Sequence, residues 1–261
     1  MSARAWYRAT RELGLDPRRL RLLGQLPRYL RDLRAWRRRG GAVSTLHPVL
    51  GDRADQAGNT RDVYFLQDLL VAQRIHRQQP LRHIDVGSRV DGFVAHLAAF
   101  REVEVMDIRP LDARISNIRF LQADLASGAP AVLTDSLSCL HALEHFGLGR
   151  YGDRIDPQGH LRGFRSLVEM LATDGTLYLS FPIGRPAVEF NAHRVFSPLE
   201  VLDWPGSERL ALVGFDLIDD AGELHEQVPL AGIAERCREL VQGCGIYTFR
   251  KLAAPGLRPL R

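Results

Sequence analysis

Lysine is nearly missing from this chain of 261 residues: Lys251 stands alone, and every other basic residue is arginine. Cysteine is scarce too. Cys139, Cys237 and Cys244 make an odd count with no metal-ligand spacing, which argues against a disulfide framework or a cysteine-built metal site. A reduced, cytoplasmic setting is the simplest expectation. No apolar run reaches about 18 residues, so no transmembrane helix is expected. The N-terminus lacks an apolar core followed by a small-residue cleavage site, so no secretory signal is expected. Internal repeats and low-complexity tracts are absent. With 45% hydrophobic and 25% charged residues, the composition is that of an ordinary globular protein.

The formal net charge of +4 hides an asymmetry. Residues 1–40 hold 12 arginines against three acids, a balance of +9 that leaves −5 for the other 221 residues. A net acidic main domain makes a nucleic-acid partner unattractive. In the basic segment Leu13, Leu20, Leu23, Leu26, Leu30 and Leu33 recur at mostly helical spacings, with Trp6, Tyr7 and Trp36 nearby. Pro17 and Pro27 divide it into short helices, and Gly40-Gly41 ends it. Two roles fit: a helical cap that packs its leucines, or a surface that meets anionic lipid at the inner face of a membrane. The expected division is a helical extension over 1–41 and a main domain over 42–261.

The richest stretch is His83-Ile84-Asp85-Val86-Gly87-Ser88-Arg89-Val90-Asp91-Gly92-Phe93, followed by Val103-Glu104-Val105-Met106-Asp107. It reads as strand, glycine turn, helix and strand. Asp107 lies 22 positions after Asp85, the length of a βαβ unit whose second acid holds ribose hydroxyls. Around it, a helix is expected over about 62–78 and strands near 118–121, 131–140, 176–181, 210–217 and 245–250. A further helix is expected near 161–172. Strands alternating with helices predict a mainly parallel sheet covered on both faces. The turn departs from the dinucleotide fingerprint, because Arg89 stands where a second glycine would admit a pyrophosphate. Acids at Asp85 and Asp91 instead suit S-adenosylmethionine, which carries an ammonium and a sulfonium and no phosphate. Rival expectations are a nicotinamide-dependent oxidoreductase and a non-catalytic cofactor-binding or interaction module.

The chain resembles the class I S-adenosylmethionine-dependent methyltransferases. The resemblance rests on Asp85-Val86-Gly87-Ser88 with Gly92, on Asp107, on Gln122-Ala123-Asp124-Leu125 and on His141-Ala142-Leu143-Glu144-His145. Asp174-Gly175-Thr176-Leu177 and His193-Arg194-Val195-Phe196-Ser197-Pro198 extend it. The run from His141 through Leu148-Gly149-Arg150-Tyr151-Gly152-Asp153 is similar to the branch known as domain of unknown function 268. The resemblance implies a Rossmann-like sandwich that binds S-adenosyl-L-methionine. It implies that Asp85 and Gly87, in the turn with Ser88 and Gly92, shape the methionine end. It further implies that Asp107 accepts from the ribose diol, that Asp124 faces the adenine amino group and that Leu125 packs on the ring.

In open α/β sheets, substrates bind beyond the carboxyl ends of the strands. The fourth strand delivers Ser138, His141, Glu144 and His145 there. If 141–145 is helical, both histidines and the acid share much of one face. A histidine suits proton removal from an acceptor hydroxyl, and a carboxylate beside it can orient it. The same set, with His193, could ligate a metal, or could serve packing alone. The polar, glycine-rich 147–159 loop suits a substrate lid, with Arg150, Tyr151, Asp153 and Asp156 in it. Arg185, Glu189 and Asn191 are placed near the same mouth, and His193 is read as a loop residue before a helix beginning near Phe196. The expected reaction is O-methylation of a small molecule or glycan.

Overall fold

The structure, a computed structural model, describes residues 16–241 and 243–253, together with Trp6, Thr10 and Gly14. Tyr7 and Leu13 of the expected N-terminal helices lie outside the described residues. The chain divides into two compact units, Met1–Asn59 and Thr60–Arg261. In the first, a 3-10 helix over Pro17–Gln25 runs into α1 (Leu26–Arg38). Pro27 sits in the first turn of α1, where its missing N–H costs nothing. No helix among the described residues is long and apolar enough to cross a membrane.

The second unit opens with α2 (Val63–Gln78), started by Asp62, whose carboxylate accepts from the Tyr64 and Phe65 amides at 3.0 and 3.2 Å. Then come β1 (His83–Val86), a wide turn over Val90–Val94 and α3 (Ala95–Ala98). β2 (Val103–Asp107), β3 (Ile118–Gln122) and β4 (Thr134–Leu140) follow. α4 (Gly159–Met170), β5 (Leu171–Ile183), β6 (Ala187–Glu189), β7 (His193–Val195) and β8 (Leu210–Ile218) come next. β9 (Leu224–His225), α5 (Leu230–Cys237) and β10 (Gly243–Lys251) complete it.

Eight strands form one sheet in the order β3-β2-β1-β4-β5-β10-β8-β9. β1 to β5 pair in parallel, while β10 runs antiparallel between β5 and β8. This is a Rossmann-like sandwich with a mainly parallel central sheet. One face is closed by α2 and the β1–α3 turn, through Leu70, Val71, Ile75, Phe93 and Leu97. The other is closed by α4 and the 196–204 segment, through Phe164, Leu167, Phe196 and Trp204. The inner strands are buried on both sides, and their polar residues His83, Asp85, Ser136, Ser138 and Ser180 are buried with the apolar ones.

Three local expectations differ from the structure. Residues 141–145 are not a helix: His141 takes a left-handed backbone (φ 48°) and only Leu143–His145 forms a 3-10 turn. The segment after Phe196-Ser197-Pro198 makes only a 3-10 turn, Glu200–Asp203, because Trp204 leaves it in an extended conformation. The supposed loop after β5 contains a hairpin, β6 paired with β7, which places His193 on a strand opposite Glu189.

Candidate active site

The strand order reverses between β1 and β4, and such a switch point opens a crevice at the carboxyl ends of the strands. Two adjoining cavities lie there. The larger, about 710 Å³, is lined by the turn residues Gly87, Ser88 and Gly92, by Gln67 and Asp68 of α2, and by His141 and His145. The smaller, about 50 Å³, is walled by Asp124 and Leu125. Gly87, Asp107, Arg109, His141, His145 and Tyr151 border both.

The turn leaves β1 at Gly87 with φ 77°, and a Cβ there would stand 2.7 Å from the Ala142 Cβ. Glycine is needed on both counts. Asp85 does not line either cavity. Its carboxylate is fully buried beneath the turn and accepts from Ser138 Oγ (2.5 Å), Ser88 Oγ (2.9 Å) and the Ser88 amide (3.2 Å). Burial pushes its pKa up to about 7 against these donors. Its part in the turn is therefore to hold Ser88. Behind it the buried His83 ring lies between Ser136 (2.8 Å) and Ser138 (3.1 Å), and burial lowers its pKa to about 3. Arg89 lies at the rim of the larger cavity, where it clamps Asp91 at 2.9 and 2.7 Å with its side chain 74% exposed.

Asp107 ends β2 at the cavity, but its carboxylate is engaged. Arg109 donates to it from Nε (2.9 Å) and Nη2 (2.5 Å), and the Arg109 amide donates as well (2.8 Å). The same guanidinium lies 4.5 Å from the Tyr151 ring centroid, a cation–π contact. Arg109 and Tyr151 both wall the smaller cavity. Asp124 lines that space while holding its own loop, accepting from the Ala126 amide (2.9 Å) and Ser127 Oγ (2.7 Å).

His141, Glu144 and His145 do converge, through the tight turn rather than a helical face. His141 Nδ1 lies 3.0 Å from Glu144 Oε1, and its Nε2 lies 3.2 Å from Cys244 Sγ on β10. Burial opposes the imidazolium, but Cys244 and Glu144 outweigh it and hold the His141 pKa well above the ordinary value. Glu144 is buried, which raises a carboxyl pKa; the His141 contact outweighs that and leaves it lowered. Its Oε2 has no hydrogen-bond partner. His145 differs. Its Nδ1 lies 2.6 Å from the Ala192 carbonyl, which can only accept, so Nδ1 carries the proton and Nε2 keeps a lone pair. Burial lowers the His145 pKa despite Glu144 Oε1 at 3.7 Å. The ring meets Tyr151 edge-on at 5.6 Å.

The surroundings of this turn are built by Arg194 and Asp153, both named in the sequence motifs but in neither case for this role. Buried Arg194 on β7 donates to the carbonyls of Glu144 (3.1 Å), Phe146 (2.7 Å) and Pro157 (3.3 Å). Asp153 gathers the 147–159 loop by accepting from the amides of Gly147 (2.7 Å), Gly149 (3.2 Å) and Tyr151 (3.2 Å). Arg109, Gln67, Asp68, Cys244 and the Ala192 carbonyl were all missed by sequence reasoning. Arg109 alone had a usable cue, a cation two residues beyond Asp107. His193, Arg185, Glu189 and Asn191 do not line these cavities.

The profile of a family described as Caenorhabditis protein of unknown function, DUF268, matches residues 101–234. The chain belongs to this family. No curated protein matches the sequence. Among solved structures, the [4+2]-cyclase SpnF shares 13% identity over 82% of this chain and 90% of its own, with a TM-score of 0.53. The N-methyltransferase NodS from Bradyrhizobium japonicum, solved with S-adenosyl-l-homocysteine, shares 17% over 73% of this chain and 88% of its own (TM-score 0.49). An S-adenosylmethionine-dependent methyltransferase from Clostridium acetobutylicum shares 10% over 77% and 94%, with a TM-score of 0.49. These likenesses concern the fold of the class I S-adenosylmethionine-dependent methyltransferases. Because a cyclase shares it, the chemistry must be argued from the site.

Proposed function

We propose that this DUF268 protein is an S-adenosylmethionine-dependent methyltransferase that acts on a hydroxyl of a small molecule or glycan, with His145 as the base. The observation that carries the proposal is a neutral histidine, its Nε2 lone pair fixed by the Ala192 carbonyl, on the wall of the cavity that Gly87 and Asp107 also border. The residues suit the cofactor: a side-chain-free turn at Gly87, an acid at the end of β2, and a cavity of about 710 Å³ within the range of small-ligand sites. Bound there, S-adenosylmethionine would supply a methyl group on a positively charged sulfur that leaves as a thioether. Asp107 would hold the ribose diol, and Asp124 with Leu125 the adenine. His145 Nε2 would take the acceptor hydroxyl proton, and Glu144 would offset the resulting imidazolium. His141, held 3.0 Å from Glu144, is a positioning residue in this scheme.

Two measurements test it. Isothermal titration should show binding of S-adenosylhomocysteine and none of NAD; the reverse would establish the oxidoreductase alternative. Cell extracts incubated with isotopically labelled S-adenosylmethionine should yield a labelled product by mass spectrometry. On that product, His145→Gln should lose on the order of 100- to 10,000-fold in rate with cofactor affinity unchanged. In the parent, activity should rise through a pKa below 6.5 and level off above it, since the lowered pKa leaves His145 neutral. Undiminished turnover by His145→Gln would remove it as the base.

A further inference from the structure

The segment Pro17–Arg38 has no part in the methyl-transfer reading, yet it is sharply two-sided. Pro17–Gln25 is a 3-10 helix, with three residues per turn. Leu20 and Leu23 therefore stand one above the other, and Leu26 continues the same edge into α1. Along α1, Leu30 and Leu33 follow at i+4 and i+7. The helical period lengthens where the leucine spacing lengthens from three to four, so a single apolar stripe runs through both helices. By the same periodicity, Tyr29 and Trp36 flank the stripe on one side and Arg34 on the other, Arg28, Arg31 and Arg38 occupy the opposite side, and Arg37 ends the stripe one turn after Leu33.

Most of the stripe is open to solvent: Leu20 is 66% exposed, Leu23 59%, Leu26 and Leu30 38% each, and Leu33 is half-buried. No residue of α1 is buried. Pro17–Arg38 carries eight arginines and one acid, Asp32. Arginines alone would make an ordinary solvated face, and leucines alone an ordinary packing face. Together they need a partner that offers an apolar layer beneath an anionic one along the whole length of the segment. Nucleic acid would neutralise the arginines but leave the leucines in water. A bilayer rich in anionic lipid supplies both layers in parallel. We infer that Pro17–Arg38 lies in the plane of an anionic membrane, its leucine stripe among the acyl chains and its arginines at the lipid phosphates.

The test is co-sedimentation of the full chain with vesicles of phosphatidylcholine alone and of equal parts phosphatidylcholine and phosphatidylserine. Binding is expected to the second only, and to be reversed by salt. Arg28→Gln/Arg31→Gln/Arg34→Gln should weaken it on the order of 100-fold, at about fivefold per arginine. Leu23→Glu/Leu30→Glu should abolish it, and because both leucines are exposed the fold should be unchanged by circular dichroism. Tryptophan emission should shift to the blue on binding, since Trp6 and Trp36 are exposed while Trp204 is already buried. Equal binding to both vesicle types, no binding at low salt, or binding untouched by Leu23→Glu/Leu30→Glu would each overturn the inference. So would tighter binding to duplex DNA than to vesicles at the same salt, or a dimer that Leu23→Glu/Leu30→Glu converts to monomer.

Discussion

Arg109 and the cofactor ribose are expected to compete for one carboxylate, and a double-mutant cycle can measure the competition. Asp107 accepts two hydrogen bonds from the Arg109 guanidinium, and the Arg109 side chain is 41% exposed against 9% for Asp107. A pair this open to water contributes about 0.5–1 kcal/mol. Removing Arg109 deletes that cost from the binding step, so Arg109→Ala should tighten S-adenosylhomocysteine by roughly two- to fivefold. Asp107→Ala loses hydrogen bonds between the diol and a charged group, worth about 1.5–3 kcal/mol, and regains the small cost of freeing Arg109. A net loss of roughly 1–2 kcal/mol corresponds to roughly 5- to 30-fold weaker binding. In the double variant Arg109→Ala has no carboxylate to release, so its gain should vanish. Isothermal titration of the parent, both single variants and the double variant gives the full cycle. Weaker binding by Arg109→Ala would show that the arginine contacts the cofactor. An equal gain with and without Asp107 would show that the ion pair is irrelevant and that steric clearance beside Tyr151 is the cause.

Two stability predictions follow from buried charge. Arg74 on α2 grips fully buried Asp216 on β8 at 2.5 and 2.7 Å, so Arg74→Ala strands a carboxylate and should cost about 3–5 kcal/mol in chemical denaturation. Exposed Arg165, paired with Glu169, should lose less than about 0.5 kcal/mol on the same change; equal losses would refute the burial argument. His83 sets an acid limit: burial holds its folded pKa near 3, below the ordinary 6.5 of the unfolded chain. The unfolded state thus takes up the proton first, and the stability present above pH 6.5 is lost as pH falls toward 3, on the order of 4 kcal/mol in all. Asp85 acts in the opposite sense, because its raised pKa penalises the folded state as pH climbs from about 4 to about 7. Comparing melting temperature against pH for His83→Gln and the parent isolates the histidine. An unchanged acid limb would show that the ring does not control it.

Most of the fold was legible in the sequence because the parallel strands are short, mostly apolar segments set between turn and helix signals. Ile84 to Val86, Val103 to Met106 and Leu177 to Phe181 announce themselves by composition. Glycine at position 87, the acid at position 107 and the cap at Asp62 are local signals, each read from its neighbours in the chain. The failures have one physical source. Residues 141–145 look helical by spacing, but β4 ends at the sheet edge and His141 must take φ 48° to turn back toward Ser180, whose carbonyl accepts from the His141 amide at 3.0 Å. The β6–β7 hairpin is short, and its strand residues Ala187 and Val188 are exposed, so it has no apolar pattern to read.

What the sequence alone determined is the order of strands and helices, the glycine turn, and the set of side chains delivered to the end of β4. Which of those side chains carry a charge was decided by tertiary structure. Cys244 comes 103 residues after His141 and Ala192 comes 47 after His145, yet Cys244 Sγ stands against His141 Nε2 and the Ala192 carbonyl fixes the proton on His145 Nδ1, so two histidines four residues apart meet opposite surroundings. The same holds for Asp107, whose place at the strand end is local but whose opening to a ligand depends on Arg109 and on Tyr151 across the cavity. Protonation and access are set by the field and the volume around a group, and both are assembled from segments that meet only when the sheet closes.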